Sequence, residues 1–334
     1  YGVPGIKAIV GPVEPGSTAA EAGLLADHEI VAVGGRETGT WEAAILGILD
    51  ELLADGLIEL TVRDANGGSR RFELDVRGRQ AELTEPGALL SGLGFVPGPV
   101  RPAVLGELSP GLAAERAGLQ SGDRIVILDD EPLHRFTELV DAVRMRPGET
   151  VTVLVERSGR QFETEIDIGE TLDLGERQGR IGAGENIELL REIAANAATT
   201  ERHNVFAALP KGIVRTWEMS ALTVRMLGKM VTGNVSVRNI SGPINIASYA
   251  GDSARAGIGA FLSFLSIVSI SLGILNLLPI PLLDGGQIVY QLAEVFKGSP
   301  LSERAMIFGQ QVGLLFLVVL MSFAFYNDLS RIFG

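Results

Sequence analysis

The pattern of apolar and polar positions divides the chain into two parts of different character. Up to about residue 170, short runs in which apolar and polar residues alternate are bounded by glycine, proline and asparagine, which predicts strands joined by tight turns. Beyond about residue 205, long apolar runs predominate, and no charged residue occurs in 256–283 or in 305–327. A helix needs about 20 residues to cross a bilayer, so each of these two runs predicts one membrane-spanning helix.

The first part contains an internal repeat with an offset of 95 residues. Each copy continues with a helical stretch and two alternating strands, as expected for one small domain that occurs twice. The matched motifs are Pro15-Gly16 with Pro110-Gly111, Ala22-Gly23-Leu24 with Ala117-Gly118-Leu119, Glu29-Ile30-Val31 with Arg124-Ile125-Val126, and Trp41 with Phe136. In the second copy this order, together with Gly122-Asp123, resembles a bacterial PDZ domain. We therefore expect two small PDZ-like domains, mainly β with short helices, at residues 1–80 and 88–170.

A glycine-rich string, Ser91-Gly92-Leu93-Gly94-Phe95, precedes the second copy. It resembles the PDZ loop whose backbone N–H groups bind a peptide's C-terminal carboxylate, which makes Gly92, Leu93, Gly94 and Phe95 candidate peptide-binding residues. A plain linker between two domains would have the same composition, so both interpretations stay open. The first copy departs from the PDZ pattern at Asp27-His28-Glu29, which stands where the second copy has Gly122-Asp123-Arg124.

The remaining segments follow in order along the second part. After a polar connector at 171–208, residues 209–255 predict one or two amphipathic helices on a membrane or along a partner helix, although a soluble helix packed on its own protein would show the same spacing. The first span, at 256–290, a short polar loop at 291–304 and the last span, at 305–334, then predict a helical hairpin. Basic residues are frequent in the amphipathic segment, and the positive-inside rule would place them in the cytoplasm. They are Lys211, Arg215, Arg225, Lys229 and Arg238.

Composition narrows the classes of function. The net charge is -13 and is concentrated in the first part, which argues against nucleic acid as a partner, because phosphate binding needs clustered lysine and arginine. Cysteine is absent, so disulfides, thiolate metal ligands and a cysteine nucleophile are excluded. Of the three histidines, His28, His134 and His203, none is expected to be catalytic. The chain begins at Tyr1 without the features of a signal peptide, and we expect it to be part of a longer protein.

The first charge after the long apolar run is Asp284, within Asn276-Leu277-Leu278-Pro279-Ile280-Pro281-Leu282-Leu283-Asp284-Gly285-Gly286. An ionised carboxylate at membrane depth costs about 3 kcal/mol and is rarely left without a cation, a proton or a metal. The two prolines interrupt the helix and the two glycines permit a turn of the backbone. Such broken segments occur in membranes only where they are buried or line a wet cavity. Asp284 is therefore a candidate functional residue.

The segment from Asn276 to Gly286 strongly resembles the second active-site motif of the site-2 proteases, which are intramembrane zinc metalloproteases. With the two PDZ-like domains and the terminal Asn327-Asp328, the chain is similar to the C-terminal part of the RseP-type site-2 proteases. The resemblance implies that Asp284 is a ligand of Zn²⁺ and that Asn276, Pro279, Pro281, Gly285 and Gly286 hold an unwound substrate. Two histidines of a His-Glu-x-x-His helix would be the other zinc ligands, and the glutamate would be the general base.

The same resemblance implies an endopeptidase that cuts single-span membrane proteins, such as anti-sigma factors or signal-peptide remnants. It places the protein in the bacterial inner membrane, with the PDZ-like domains outside the cytoplasm as a size filter, contrary to the count of basic residues. No His-Glu-x-x-His occurs in this sequence, so the chain cannot build the catalytic zinc site alone and is expected to be inactive without the missing part. The alternative is a non-catalytic, membrane-anchored PDZ adaptor that binds exposed C-terminal peptides.

Overall fold

The computed structural model describes residues 2–64, 66–173, 176–202 and 205–333. The chain begins with strand β1 (Gly2–Ile6) and then forms a folded unit, which we call unit 1. Its elements are β2 (Val10–Val13), α1 (Thr18–Glu21), β3 (Glu29–Val33), β4 (Arg36–Glu37), α2 (Trp41–Ala54), β5 (Leu57–Arg63), β6 (Ser69–Asp75), α3 (Gln80–Leu83), α4 (Ala88–Leu93) and β7 (Phe95–Pro97).

A second unit, unit 2, has the same order of elements at its start. Its elements are β8 (Leu105–Leu108), α5 (Ala113–Arg116), β9 (Arg124–Leu128), β10 (Glu131–Pro132), α6 (Phe136–Arg144), β11 (Thr150–Arg157), β12 (Arg160–Asp167), β13 (Gly169–Asp173), β14 (Glu176–Arg180) and β15 (Ala183–Glu185). Both units contain a four-stranded antiparallel sheet with the same topology, β4-β3-β5-β6 and β10-β9-β11-β12. The repeat found in the sequence is therefore a repeat of structure.

Alternation of apolar and polar residues explains the position of each sheet. In β5, Ile58, Leu60 and Val62 are fully buried while the residues between them point outward, as the two-residue period of a strand requires. In β11, Val151, Val153 and Val155 do the same for unit 2. Each sheet packs against the long helix of its own unit, and each unit has a core of its own.

The predicted boundaries of the two domains are wrong at their C-terminal ends. Leu93 and Phe95, which were assigned to the second domain, lie in the core of unit 1, and β7 pairs with β2. Likewise the predicted connector from residue 171 contains β13, β14 and β15, and β15 pairs with β8 while Ile181 is buried in the core of unit 2. In each unit the last strand pairs with the first, and such a long-range pairing leaves no trace in local periodicity.

The turn at which the two copies differ in sequence has a similar backbone in both units. Asp27 adopts φ 62° and Gly122 adopts φ 94°, so the aspartate takes the left-handed conformation that glycine supplies in unit 2. The next residue differs in chemistry. Asp123 is buried and accepts two hydrogen bonds of 2.7 Å from Arg157, whereas His28 is buried against Phe72 with ring centroids 5.9 Å apart.

The rest of the chain is mainly helical. Its elements are α7 (Ile187–Ala197), β16 (Ala198–Arg202), α8 (Val205–Val231), a 3₁₀ turn (Val237–Asn239), α9 (Pro243–Ala256), α10 (Ile258–Leu277), α11 (Asp284–Lys297) and α12 (Glu303–Phe333). Strand β16 pairs antiparallel with β1, so the segments that enter and leave the two units run side by side. The predicted amphipathic region thus contains two helices, α8 and α9.

Two helices, α10 and α12, are long and apolar enough to cross a membrane, with mean hydropathies of 2.3 and 2.0. Their most apolar windows are 0% and 6% buried by the rest of the described chain, so these apolar surfaces are available for contact with lipid. The predicted first span to residue 290 is interrupted, because α10 ends at Leu277 and α11 begins at Asp284. Helix α11 also occupies part of the predicted polar loop.

Helix α8 packs with one face on α2 of unit 1. Leu222 and Val235 are buried there against Leu53, with Met226 and Met230 beside them. Three arginines from the predicted basic cluster bind carboxylates of unit 1, and these pairs are Arg215 with Glu42, Arg225 with Asp50, and Arg238 with Glu85. Three of the five basic residues of this segment are therefore matched by carboxylates within the chain.

Candidate functional site

The carboxylate of Asp284 stands at a break between two helices. Helix α10 ends at Leu277, residues 278–283 are not helical, and Asp284 is the first residue of α11. Its side chain is exposed, and no described residue forms an ion pair or a hydrogen bond with it. A carboxylate in the first turn of a helix lies where the helix dipole favours a negative group.

Two glycines after Asp284 let the broken segment fold back on α11. A Cβ atom on Gly285 would overlap the carbonyl oxygens of Leu277 and Leu278, and one on Gly286 would overlap that of Ile280. Both glycines are buried. Because the two glycines have no side chains, the backbone of residues 277–280 can approach the start of α11 closely. This close approach is the reason that glycine is needed at the turn.

The other residues singled out in the motif lie in the same turn. Asn276 is half-buried in the last turn of α10, Pro279 is exposed and Pro281 is half-buried. The segment makes short backbone hydrogen bonds, from the Ile280 N–H to the Leu278 carbonyl (2.7 Å) and from the Leu283 N–H to the Ile280 carbonyl (3.0 Å). The motif residues are thus brought together around Asp284, whereas Gly92 to Phe95 lie on unit 1.

Zinc needs more donors than this turn supplies. Structural and catalytic zinc sites use at least three protein ligands, and within the described ranges no group of three histidine, aspartate or glutamate residues is arranged to bind a metal. His28 lies in unit 1, where its Nδ1 accepts a hydrogen bond from the Leu25 N–H (3.2 Å), and His134 is on the surface of unit 2. His203 lies outside the described residues. Asp284 fits the role of one ligand, but the described residues do not complete a zinc site.

The loop resembling a PDZ carboxylate-binding loop belongs to unit 1. Gly94 adopts φ 91° at the end of α4, between Leu93 and Phe95, which are both buried. The Phe95 ring lies against that of Trp41, the first residue of α2, with centroids 6.3 Å apart. Gly92 to Phe95 therefore connect α4 to β7 beside the start of α2. They do not precede unit 2 as its first segment.

Unit 2 has a corresponding loop that the sequence reasoning missed. Ile181 is buried and Gly182 adopts φ 77°, directly before β15. A groove of about 700 Å³ lies between this loop with β15 on one side and α6 on the other, with Phe136, Leu139 and Val140 on its helical wall. The signal was present in the sequence, since Ile181-Gly182 repeats Leu93-Gly94 at the end of the second copy.

A buried carboxylate at the end of α12 was not predicted as a site residue either. Asp328 is 0% exposed and accepts hydrogen bonds from the backbone N–H groups of Gly242 (2.9 Å), Ile244 (2.9 Å) and Asn245 (3.2 Å), and from Asn245 Nδ2 (2.6 Å). It thereby joins α12 to the first turn of α9. A polar pair closing an apolar span, Asn327-Asp328, is the sequence signal that points to it.

Comparison with known proteins gives a consistent result. The profile of "Peptidase family M50" matches residues 27–320. The chain is 38% identical over 337 residues to the "Regulator of sigma E protease" of Salmonella typhi. It is 37% identical over 335 residues to the "Regulator of sigma-E protease RseP" of Escherichia coli strain K12. In both cases the matched region covers 99% of this chain and 73% of the relative. It is 35% identical over 339 residues to a "Putative zinc metalloprotease" of Neisseria meningitidis, covering 100% of this chain and 74% of the relative.

Among solved structures, the PDZ domain of the SdrC-like protein from Listeria innocua matches with a TM-score of 0.23 and 20% identity. The match covers 25% of this chain and 92% of that domain.

Proposed function

The chain belongs to peptidase family M50, whose members are metalloendopeptidases, and we propose that it is the part of an intramembrane zinc endopeptidase that contributes Asp284 to the metal. The observation that carries this proposal is a carboxylate without a partner among the described residues, at the helix break that follows the apolar helix α10. Zinc held by three ligands would supply a bound water with a pKa of about 7 and polarise the scissile carbonyl. The other ligands would come from residues outside these 334, since no two histidines lie four apart in this sequence.

The substrate in this proposal is an extended stretch of a single-span membrane protein. A peptide bond inside a helix is shielded by its own hydrogen bonds, so a substrate must unwind before it is cut. Pro279 and Pro281 keep residues 278–283 out of helical structure, and the backbone groups that this break leaves outside the helix would bind an unwound chain. The Asn276 amide, half-buried in the preceding turn, would bind the backbone of that chain.

Anti-sigma factors and signal-peptide remnants are the substrate classes we propose, and two relatives carry the description "Regulator of sigma E protease" or its RseP form. We place the protein in the bacterial inner membrane, with units 1 and 2 outside the cytoplasm, where they would exclude substrates with bulky domains. A membrane-impermeant maleimide applied to intact spheroplasts should label a cysteine at the exposed position Glu163 of unit 2. Labelling only after the membrane is permeabilised would reverse the proposed orientation.

Peptide binding by unit 2 is a further part of the proposal. The groove between β15 and α6 has an apolar wall, a glycine-containing loop and the guanidinium of Arg180 at its edge, which suits the C-terminus of an extended peptide. A peptide with a free C-terminal carboxylate should bind more tightly than its amidated form. Val140→Arg on the wall of the groove should abolish this binding, while Ile45→Arg, at the corresponding position of unit 1, should not.

The decisive experiment for the metal uses the full gene product. Asp284→Asn keeps the shape of the side chain but weakens it as a zinc ligand, so cleavage of a model transmembrane substrate and the zinc content per folded protein should both fall. The matched control is Asp252→Asn, because Asp252 is an exposed carboxylate on α9 that pairs with Arg255. Unchanged zinc content and cleavage in Asp284→Asn would remove Asp284 from the metal site.

A further inference from the structure

The last apolar helix, α12, touches the broken segment at Gly313. Gly313 of α12 is buried, and a Cβ atom placed on it would overlap the carbonyl oxygen of Pro281. The same atom would lie 2.8 Å from the carbonyl carbon and 3.0 Å from the Cβ of Pro281, and real Cβ atoms essentially never approach a carbonyl carbon that closely. These are backbone and ring atoms, which cannot rotate away as a flexible side chain can.

Helix α11 meets the same segment at a second glycine. A Cβ on Gly286 would overlap the carbonyl oxygen of Ile280 and lie 2.9 Å from the Cα of Pro281. The backbone around Pro281 is therefore in direct contact with a glycine of α11 and a glycine of α12. Between Pro281 and Asp284 the chain passes through Leu282 at φ 92°, a conformation that is strained for leucine and persists only where neighbouring structure imposes it.

From this arrangement we propose that Gly313 is a positioning residue, which sets the place of Asp284 by letting α12 press directly on Pro281. The inference rests on the proposed role of Asp284 as a zinc ligand. A side chain at position 313 must push α12 away or displace Pro281. Either shift is transmitted over the three residues to Asp284, because Leu282 is already strained and cannot absorb it without leaving its present conformation.

Other glycines of the two spans provide graded controls. A Cβ on Gly309, one turn earlier on α12, would overlap only the hydroxyl of Tyr290, at the end of a side chain that can move. A Cβ on Gly273 of α10 would meet nothing within 4 Å. The three positions share their residue type and their membrane environment, so they differ mainly in what an added methyl group would strike.

The experiment compares Gly313→Ala, Gly309→Ala and Gly273→Ala in the full gene product, purified in detergent and selected for the folded, monodisperse fraction. The readout is the rate of zinc loss to a chelator per folded protein, with substrate cleavage separated into kcat and KM. We expect Gly313→Ala to lose zinc about 10–100-fold faster, as for residues that orient metal ligands, and to lower kcat more than it changes KM. Gly273→Ala should behave as the parent, and any effect of Gly309→Ala should be reversed by Tyr290→Phe.

Leu282→Gly supplies a second test that adds no bulk. Glycine accepts φ 92° without strain, so the segment becomes more adaptable, and zinc loss should become faster in Leu282→Gly alone. In the Gly313→Ala background the same change should recover part of the lost kcat. If Gly313→Ala retains zinc and kcat as Gly273→Ala does, the inference is overturned. If Gly313→Ala does not fold, unchanged zinc retention in Leu282→Gly overturns it instead.

The two proposals fail in distinguishable ways. If Asp284→Asn retains zinc and activity, the metal role itself is wrong. If Asp284→Asn loses both while Gly313→Ala loses neither, Asp284 is a ligand and only the role of Gly313 is wrong.

Discussion

The contact between α8 and unit 1 provides a sharp quantitative prediction. Leu222 of α8 is 7% exposed and packs with Leu53 and Val235, which are 1% and 2% exposed. Substitution of Leu222 by alanine removes three carbon atoms from this cluster. At about 0.8 kcal/mol for each buried CH₂ group the transfer loss is about 2.4 kcal/mol, before any cost of the remaining cavity.

Because Met226 and Met230 line the same cluster, and methionine fills irregular gaps, we expect the cavity to collapse in part and the total loss to remain at about 2–3 kcal/mol. Each 1.4 kcal/mol corresponds to a tenfold change in an equilibrium, so the population with α8 detached should rise about 30–100-fold. The ion pairs contribute less. Arg225 and Asp50 are 39% and 21% exposed, so Arg225→Ala should raise that population by only about fivefold, at about 1 kcal/mol.

The absence of cysteine from the chain makes the assay direct. A single cysteine in place of Val235 has a similar volume and is shielded when α8 is docked, so its rate of reaction with a maleimide reports the detached population. Leu222→Ala should raise that rate about 30–100-fold. Leu128→Ala, in the core of unit 2 and 1% exposed, is the matched control and should leave it unchanged. Equal labelling rates in the parent and in Leu222→Ala would refute this account of the interface.

Three further predictions concern buried polar groups. Burial lowers the pKa of His28 from its ordinary 6.5, so the unfolded chain binds the proton more readily than the folded one. Unit 1 should therefore be fully stable above about pH 6.5 and lose stability as the pH falls towards the lowered pKa. His28→Asn should flatten the pH dependence of the urea unfolding of unit 1. Asp123→Ala leaves the Arg157 guanidinium without its carboxylate and should destabilise unit 2 by about 3 kcal/mol in the same assay. Asp328→Ala leaves three backbone N–H groups of the α9 turn without an acceptor, and hydrogen exchange at residues 242–245 should become faster by an amount equivalent to about 2–4 kcal/mol.

Each of these has an outcome that would contradict it. A pH dependence equally steep in His28→Asn would show that another group titrates. If unit 2 of Asp123→Ala unfolds at the same urea concentration as the parent, the Arg157 guanidinium is hydrated without loss of stability when its carboxylate is removed. Unchanged exchange at residues 242–245 would show that α9 keeps its first turn without Asp328.

Local patterns in the sequence predicted a large share of the fold. The alternation in Ile58, Leu60 and Val62 and the repeat that maps Trp41 onto Phe136 depend on neighbours close in sequence, so they located the sheets and the long helices of both units. Length and apolar composition located α10 and α12 for the same reason. The break before Asp284 was predictable too, because proline removes a hydrogen bond wherever it stands in a helix.

The pairing of distant segments could not be predicted in this way. Strand β7 was assigned to the wrong unit because only its pairing with β2 shows where it belongs. The ion pair of Arg225 with Asp50 was not predictable either, because the two residues are 175 positions apart in the sequence. Nothing in the spacing of residues says which carboxylate a buried N–H group will meet, and so the four donors to Asp328 were unforeseen.

By itself the sequence determined the repeated β units, the two apolar spans and an aspartate set in a proline- and glycine-rich break. It also determined that the histidines of a metal-binding helix are absent from these 334 residues. Only the tertiary structure decided which surfaces contact that break, namely those at Gly286 of α11 and Gly313 of α12. The physical reason is that helical periodicity shows which face of a helix a residue occupies. Which atoms that face contacts depends on how helices far apart in sequence pack together.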